Sequence, residues 1–377
     1  MEQTVGVATP SFRKWVSIIA FLGFLAFMLY LYFFAGITEV ASEIGRTDLF
    51  FYALAFVAVL GGVVFNSLTW YSLLGNFSIK AAFRRVFVLS WVGIFVDAII
   101  PGGWSGDLFK AYLLAKDPKV DPGKTAASIV IKNILELSIT LGALITGLIL
   151  LVWNYSLEVW ILISFGTTMI LLALPLIIVI SLSVNLRATK RFVGFLRRIF
   201  YSPKRGRGKE EGFDAKVEKA LNEYHEGLRT MKTKPASLVR PLILQILAWT
   251  FDVFTLFLIF ASISYIVSPD KVLIVNTITG NLQVQGFAFA GFTQVVSSSL
   301  YSLLGIAPAV SAASTLLGGF AIFWFKFVLS FLAFQCVVLS RCIPYICVRC
   351  GGLFGKKSCN EPEGTENEEK DPVAVQS

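Results

Sequence analysis

The stretch richest in chemistry is Asp97-Ala-Ile-Ile-Pro-Gly-Gly-Trp-Ser-Gly-Asp-Leu-Phe-Lys-Ala-Tyr112. Pro101, Gly102 and Gly103 break a helix here. Ser105 or Asp107 can then cap a new one, and the freed amides at that helix start attract an anion such as a lipid phosphate. Lys110 adds a positive charge one turn later. Asp97 and Asp107 are costly at membrane depth unless they face a cavity or pair with a cation. Two readings stay open: an anion site, or a Pro-Gly turn between two interfacial helices with solvated charges.

Four other groups carry weight. Lys132 and Glu136 lie one helical turn apart and can pair along one face, as a structural pair or as cavity lining. Asp252 and Lys326 each sit inside an apolar run. Intramembrane ionisable residues are functional candidates by default, although these two can also neutralise each other across helices. Asn281, Gln283, Gln285 and Gln294 fall in a second broken segment, where amides bind a headgroup or satisfy loose backbone. His225 receives no role. There is no nucleophile–base pair, Walker loop or dinucleotide fingerprint, so neither ATP-driven transport by this chain alone nor a cofactor is expected. Asp107 or Asp97 as a general base would suit a membrane-embedded transferase acting on a lipid head.

These groups need elements to hold them, and the composition says of what kind. Hydrophobic residues make up 56% of the 377, and charged residues only 15%, against about a quarter in soluble proteins. A soluble globular fold is excluded. Phe alone contributes 34 residues, which suits lipid-facing surfaces and interfacial belts. The net charge of +9 is concentrated in a few loops, so it reads as a topology signal and not as a nucleic-acid site. Arg13 and Lys14 precede the apolar run Trp15 to Ile37 without a cleavage site, which reads as a first membrane helix and not a signal peptide.

A bilayer core takes about 20 apolar residues as helix. Spanning segments are expected at Trp15–Gly36, Leu49–Leu74, Thr125–Trp153, Val159–Val184, Leu242–Val267 and Ala309–Cys342. Val86–Asp107 and Val272–Leu304 are broken by Gly, Pro or polar residues. The loop Asn185–Leu238 holds 14 Lys/Arg against 6 Asp/Glu and should be cytoplasmic. Lys80, Arg84, Arg85 and the lysines of Lys110–Lys124 are placed on that side too, if Val86–Asp107 enters and returns. The expected fold is therefore all-α and polytopic, with about six spanning helices plus two opposed re-entrant hairpins, at residues 1–345. Both termini are cytoplasmic, and the plasma membrane is the expected location. Opposed broken segments also point to a transporter site at an inverted-repeat interface.

In the basic loop, Phe192, Phe195, Leu196, Ile199 and Phe200 form an amphipathic interfacial stripe. Phe213, Val217, Leu221, Tyr224, Leu228 and Met231 form a second helical stripe. Residues 346–377 read as a disordered acidic tail. Cys336, Cys342, Cys347, Cys350 and Cys359 cluster late in the chain. They read as free or lipidated juxtamembrane thiols, since no second CxxC or paired His accompanies Cys347-x-x-Cys350.

The first broken segment also resembles a known pattern, Pro-Gly-x-x-Gly-Gly-Asp-x-x-Arg-Ala-Tyr-Leu-Leu, of the flippase-like membrane family that includes the transmembrane region of lysylphosphatidylglycerol synthases. Pro101, Gly102, Gly106, Asp107, Ala111, Tyr112, Leu113 and Leu114 match, with Ser105 in place of a Gly and Lys110 in place of an Arg. Asn66, Trp70 and Leu73–Leu74 fit an upstream element. Gly291-Phe-Thr-Gln294, followed by Leu300–Ile306, resembles the family's second motif with Gln294 replacing the acid, and Lys132-Asn133 stands where a Glu-Arg pair is usual. The resemblance implies transbilayer movement of a phospholipid or a polyprenyl-linked glycan lipid. With the charged and amide groups singled out above, the candidate substrate contacts are Asp97, Pro101, Gly102, Gly106, Asp107, Lys110, Tyr112, Lys132, Glu136, Asp252, Gln285, Gly291, Gln294 and Lys326. The partner would be an anionic lipid headgroup or a lipid-linked glycan, and a homodimer is suggested. Synthase activity is not implied, because only a short tail follows Arg349. An accessory role beside a lipid or glycan synthase remains the alternative.

Overall fold

The computed structural model describes residues 28–100, 104–154, 159–184, 189, 191, 210–233, 235–282 and 291–338. Helices occupy nearly all of them, and no strand occurs among the described residues. In chain order they are α1 (Ile37–Gly45), α2 (Leu49–Asn76), α3 (Phe83–Ile99), α4 (Ser105–Ala115), α5 (Pro122–Asn154), α6 (Val159–Val184), α7 (Glu210–Thr233), α8 (Val239–Ser262), α9 (Pro269–Leu282), α10 (Phe292–Leu303), α11 (Pro308–Gly318) and α12 (Phe325–Val338). A π-helical turn, Gly319–Trp324, joins α11 to α12 in one long rod.

Among the described residues, four stretches are long and apolar enough to cross a bilayer: Leu49–Asn76, Pro122–Leu150, Pro235–Ser262 and Pro308–Val337. At most 33% of the apolar window of each is buried within the protein. The remaining apolar surface, Leu49, Val57, Trp153, Ile163, Ile177 and Val328 among others, faces outward, as suits lipid and not water. The protein is an all-helical, polytopic membrane protein. The expected helix at Trp15–Gly36 lies mostly outside the described residues, as do the stripe at 192–200, the tail and all the cysteines but Cys336.

The centre of the fold is the pair α2 and α8, which run antiparallel. At one end the Asp48 amide donates to the Ser262 carbonyl at 2.6 Å. At the other the Asn76 side-chain amide donates to the Ser237 carbonyl at 2.8 Å. Between them Gly61 and Gly62 admit Phe251 and Asp252 of the facing helix. Interfaces between membrane helices favour such small residues, because lipid tails supply no hydrophobic drive. The two helices also end alike. The Ile79 amide bonds to the Leu74 carbonyl and the Tyr265 amide to the Phe260 carbonyl, with Ser78 and Ser264 in the left-handed region.

After each central helix comes a pair of shorter ones. Helix α4 has 11 residues, about 16 Å, and α10 has 12, about 18 Å, against an apolar thickness of about 30 Å. In each pair the start of the first helix lies near the end of the second. In the first, Arg85 of α3 meets Asp117 beyond α4 at 2.7 Å. In the second, Val272 of α9 and Tyr301 of α10 share one apolar cluster with Phe260. The pairs are exchanged between the halves of the chain: α3 packs on α12, and α9 packs on α5. The second stripe of the basic loop forms α7, where Tyr224 and Leu228 pack against the apolar cluster around Trp70 and Leu114. Gly123 is close-packed against the Ala220 carbonyl of α7.

Candidate functional site

Between the central pair and the two short-helix pairs lies a cavity of about 760 Å³. That is within the ordinary range for a small-molecule site. Side chains of both halves of the chain line it, including Asp97, Asp107, Lys110, Lys132, Glu136, Asp252, Gln294 and Lys326.

One wall is ionic. Lys110 Nζ lies 2.5 Å from Asp107 Oδ1, and Lys132 Nζ lies 3.5 Å from Asp107 Oδ2 and 3.0 Å from Glu136 Oε2. The Asn133 side chain also hydrogen-bonds Asp107. The Lys110 ammonium stands over the Trp70 ring, 4.8 Å from its centroid. Lys110 and Lys132 are almost wholly covered, whereas the Glu136 side chain is 41% exposed, so Glu136 presents this network to the cavity. Across the cavity Asp252 and Lys326 approach to 3.8 Å, joining α8 to α12 as the two mid-helix charges require. Among the described lining residues, four carboxylates face three ammonium groups, and each ammonium has a carboxylate within 4 Å.

The fourth carboxylate, Asp97, has another task. Its Oδ1 accepts the Gly106 amide at 2.7 Å and the Ser105 hydroxyl at 2.8 Å. Neither Ser105 nor Asp107 caps α4, contrary to expectation: Asp97 caps it from the preceding helix. The anion attracted to this helix start is thus the protein's own carboxylate. Gly106 is required for this closeness, since a Cβ there would collide with the Gly93 carbonyl.

Another part of the lining is neutral: Thr293, Gln294, Ser297 and Tyr301 of α10 and Ser314 and Thr315 of α11, two helices that pack on each other. Gln294 Oε1 accepts the Gly291 amide at 2.9 Å and so caps α10. Gly291 itself has φ of +98°, a conformation open to glycine.

Asp97, Asp107, Lys110, Lys132, Glu136, Asp252, Gln294 and Lys326 therefore share one cavity. Gly106 and Gly291 serve it through the backbone. Tyr112 is 58% exposed, lies outside the lining and has Lys116 over its ring. Pro101, Gly102 and Gln285 lie outside the described residues. Sequence reasoning missed Gln245, Thr293, Ser297, Tyr301, Ser314 and Thr315. The signal was present in part: Thr293, Ser297 and Tyr301 recur every four residues, one face of α10.

A UPF0104 membrane protein of Methanocaldococcus jannaschii is 24% identical over 328 residues, covering 84% of this chain and 92% of the relative. One of Methanothermobacter thermautotrophicus is 23% identical over 294 residues, 76% of this chain and 85% of the relative. One of Pyrococcus horikoshii is 22% identical over 308 residues, 79% of this chain and 90% of the relative. The family model described as the lysylphosphatidylglycerol synthase TM region matches residues 16–330, most of the chain, and the protein belongs to that family.

Proposed function

We propose that the protein is a lipid flippase, moving a phospholipid or a polyprenyl-linked glycan lipid across the bilayer. The headgroup passes through the central cavity while the tails stay in lipid. One observation carries this reading: a cavity of about 760 Å³, lined by seven Asp, Glu and Lys side chains, lies among helices whose outer faces are apolar. Charges are kept at such depth where they serve a polar cargo.

In this reading the chain makes six spans, and the pairs α3–α4 and α9–α10 are re-entrant hairpins dipping from opposite faces. The antiparallel α2 and α8, each followed by a short-helix pair and a long helix, then form an inverted repeat. The termini are cytoplasmic and the membrane is the plasma membrane. Lys132 is the first contact of a headgroup phosphate: it is shared between Asp107 and Glu136, and the half-exposed Glu136 is the carboxylate that yields its place. The transferase alternative needs a free base, and Asp107 is committed to Lys110, Lys132 and Asn133. An accessory role would leave the ionic lining of the cavity without a use.

The test is fluorescent-lipid scrambling in proteoliposomes, comparing wild type with Glu136→Gln and Lys132→Met. Wild type should move at least one lipid class, with Glu136→Gln slowed about tenfold and Lys132→Met inactive. Well-folded protein that moves no phospholipid and no polyprenyl phosphate would sink the reading.

A further inference from the structure

The neutral wall of the cavity has a hydrogen-bonding character that selects among headgroups. Ser314 Oγ donates its proton to the Ser311 carbonyl at 2.9 Å, and Thr315 Oγ1 to the Ala312 carbonyl at 3.0 Å. Each hydroxyl keeps lone pairs that can only accept. Gln294 is the reverse case. Its Oε1 is occupied by the Gly291 amide, which leaves Nε2 with protons to give. Acceptors on α11 and a donor on α10 therefore border one cavity. Beside them Gln245 Oε1, Thr293 Oγ1 and Tyr301 OH are buried polar atoms without a hydrogen-bond partner. Trp249 and Trp324 line the same space and offer aromatic surface.

A ligand that suits this wall must give and take hydrogen bonds at neighbouring points. A bare phosphate only accepts, so the Ser314 and Thr315 lone pairs would go unused. An ammonium only donates, so it cannot take a proton from Gln294 Nε2, and the acids of the ionic wall are already paired or capping. Hydroxyl groups do both, and the apolar C–H face of a sugar ring stacks on aromatic surface. We infer that the headgroup carried by this site is a neutral polyol or sugar joined through a phosphate, the phosphate meeting the Lys132 side and the hydroxyls meeting Gln294, Ser314 and Thr315. This inference rests on the lipid-transport reading for its biological sense, but it concerns binding and can fail separately.

The experiment measures binding of dioctanoyl phosphatidylinositol, dioctanoyl phosphatidic acid and dioctanoyl phosphatidylethanolamine to the purified full chain in detergent, by calorimetry. The inositol lipid should bind at least about tenfold tighter than the other two. In Ser314→Ala/Thr315→Val that margin should fall about tenfold, or about 1.4 kcal/mol, while phosphatidic acid binds as before. The loss of two hydrogen-bond acceptors is enough for a change of that size. Equal affinities in wild type, no binding of any probe, or a margin that survives the double variant would overturn the inference. Scrambling of the same lipids separates the two ideas. Binding of the inositol lipid without movement leaves the inference standing and removes the flippase reading. Movement of any lipid without a polyol margin does the opposite.

Discussion

The two short-helix pairs meet the same backbone problem with different chemistry. Each breaks a chain beside the cavity and exposes the amides of a new helix start. At α4 the amide of Gly106 is met by a carboxylate, Asp97, reaching back from α3. At α10 the amide of Gly291 is met by the neutral amide of Gln294, one turn into the same helix. The division extends outward from these caps. On α4 stand Asp107 and Lys110, with Lys132 and Glu136 of α5 beside them; along α10 stand Thr293, Ser297 and Tyr301. Their feet differ as well: the first pair is pinned by Arg85 and Asp117, the second by the edge-to-face rings of Phe260 and Tyr301, 4.9 Å apart. Similar architecture thus carries one ionic and one neutral half-site, and a cargo with two unlike ends would find a place for each.

The sharpest way to break this comparison is Asp107→Ala. It leaves Lys110 and Lys132 buried without their shared partner, and uncompensated buried charge costs about 3–5 kcal/mol. The expected result is a large fall in unfolding temperature in detergent, partly restored by adding Lys110→Met. Thr293→Val on the neutral side should change stability little, and a comparable loss there would erase the distinction between the walls.

The caps give an intermediate effect. Asp97→Ala and Gln294→Ala should each destabilise by about 1 kcal/mol, the usual worth of a cap. Asp97→Asn should keep most of that stability, since the amide oxygen can still accept the Gly106 amide. A thermal-unfolding series of these three variants decides whether the cap or the charge is what Asp97 supplies.

The feet give the smallest effect. The hydrogen bond from Arg85 holds the Asp117 carboxyl below its ordinary value of 3.8. A depressed carboxylate stabilises fully above that ordinary value, and the contribution is lost as pH falls through the lowered one. Asp117→Asn should therefore cost less than about 1 kcal/mol near neutrality, because the pair is partly exposed. It should also flatten the acid limb of the stability profile. Phe260→Leu should not change that limb, and a change there would mean that the two feet are coupled.

Much of this was legible in the residues. The apolar runs gave α2, α5 and α6 to within about three residues, the run expected at Leu242–Val267 overran the end of α8 at Ser262, and the Gly/Pro breaks located both short-helix pairs. The spacing of Lys132 and Glu136 gave their contact, and the cost of lone charges in apolar runs gave the pairing of Asp252 with Lys326. The role of Asp97 was hidden, because a cap supplied from the preceding helix depends on how two helices fold back on each other. The sharing of Asp107 between Lys110 and Lys132 needs α4 against α5, which no local spacing encodes. The neutral wall was quiet for another reason. Ser314 and Thr315 satisfy themselves on their own helix carbonyls, so they sit in a membrane helix at little cost and leave a weak trace. The π-helical turn at Gly319–Trp324 had no signal beyond two adjacent glycines.

The fastening of α2 to α8 at both ends has a mechanical consequence. Asp48 holds Ser262 at one end and Asn76 holds Ser237 at the other, with Gly61 and Gly62 closing the gap between. A pair tied at both extremities and packed through glycine can neither scissor nor slide without breaking bonds. On the proposed transport reading this pair is the fixed part, and a change in which side of the bilayer the cavity opens to would come from the helices packed around it, α3–α4 with α12 and α9–α10 with α5.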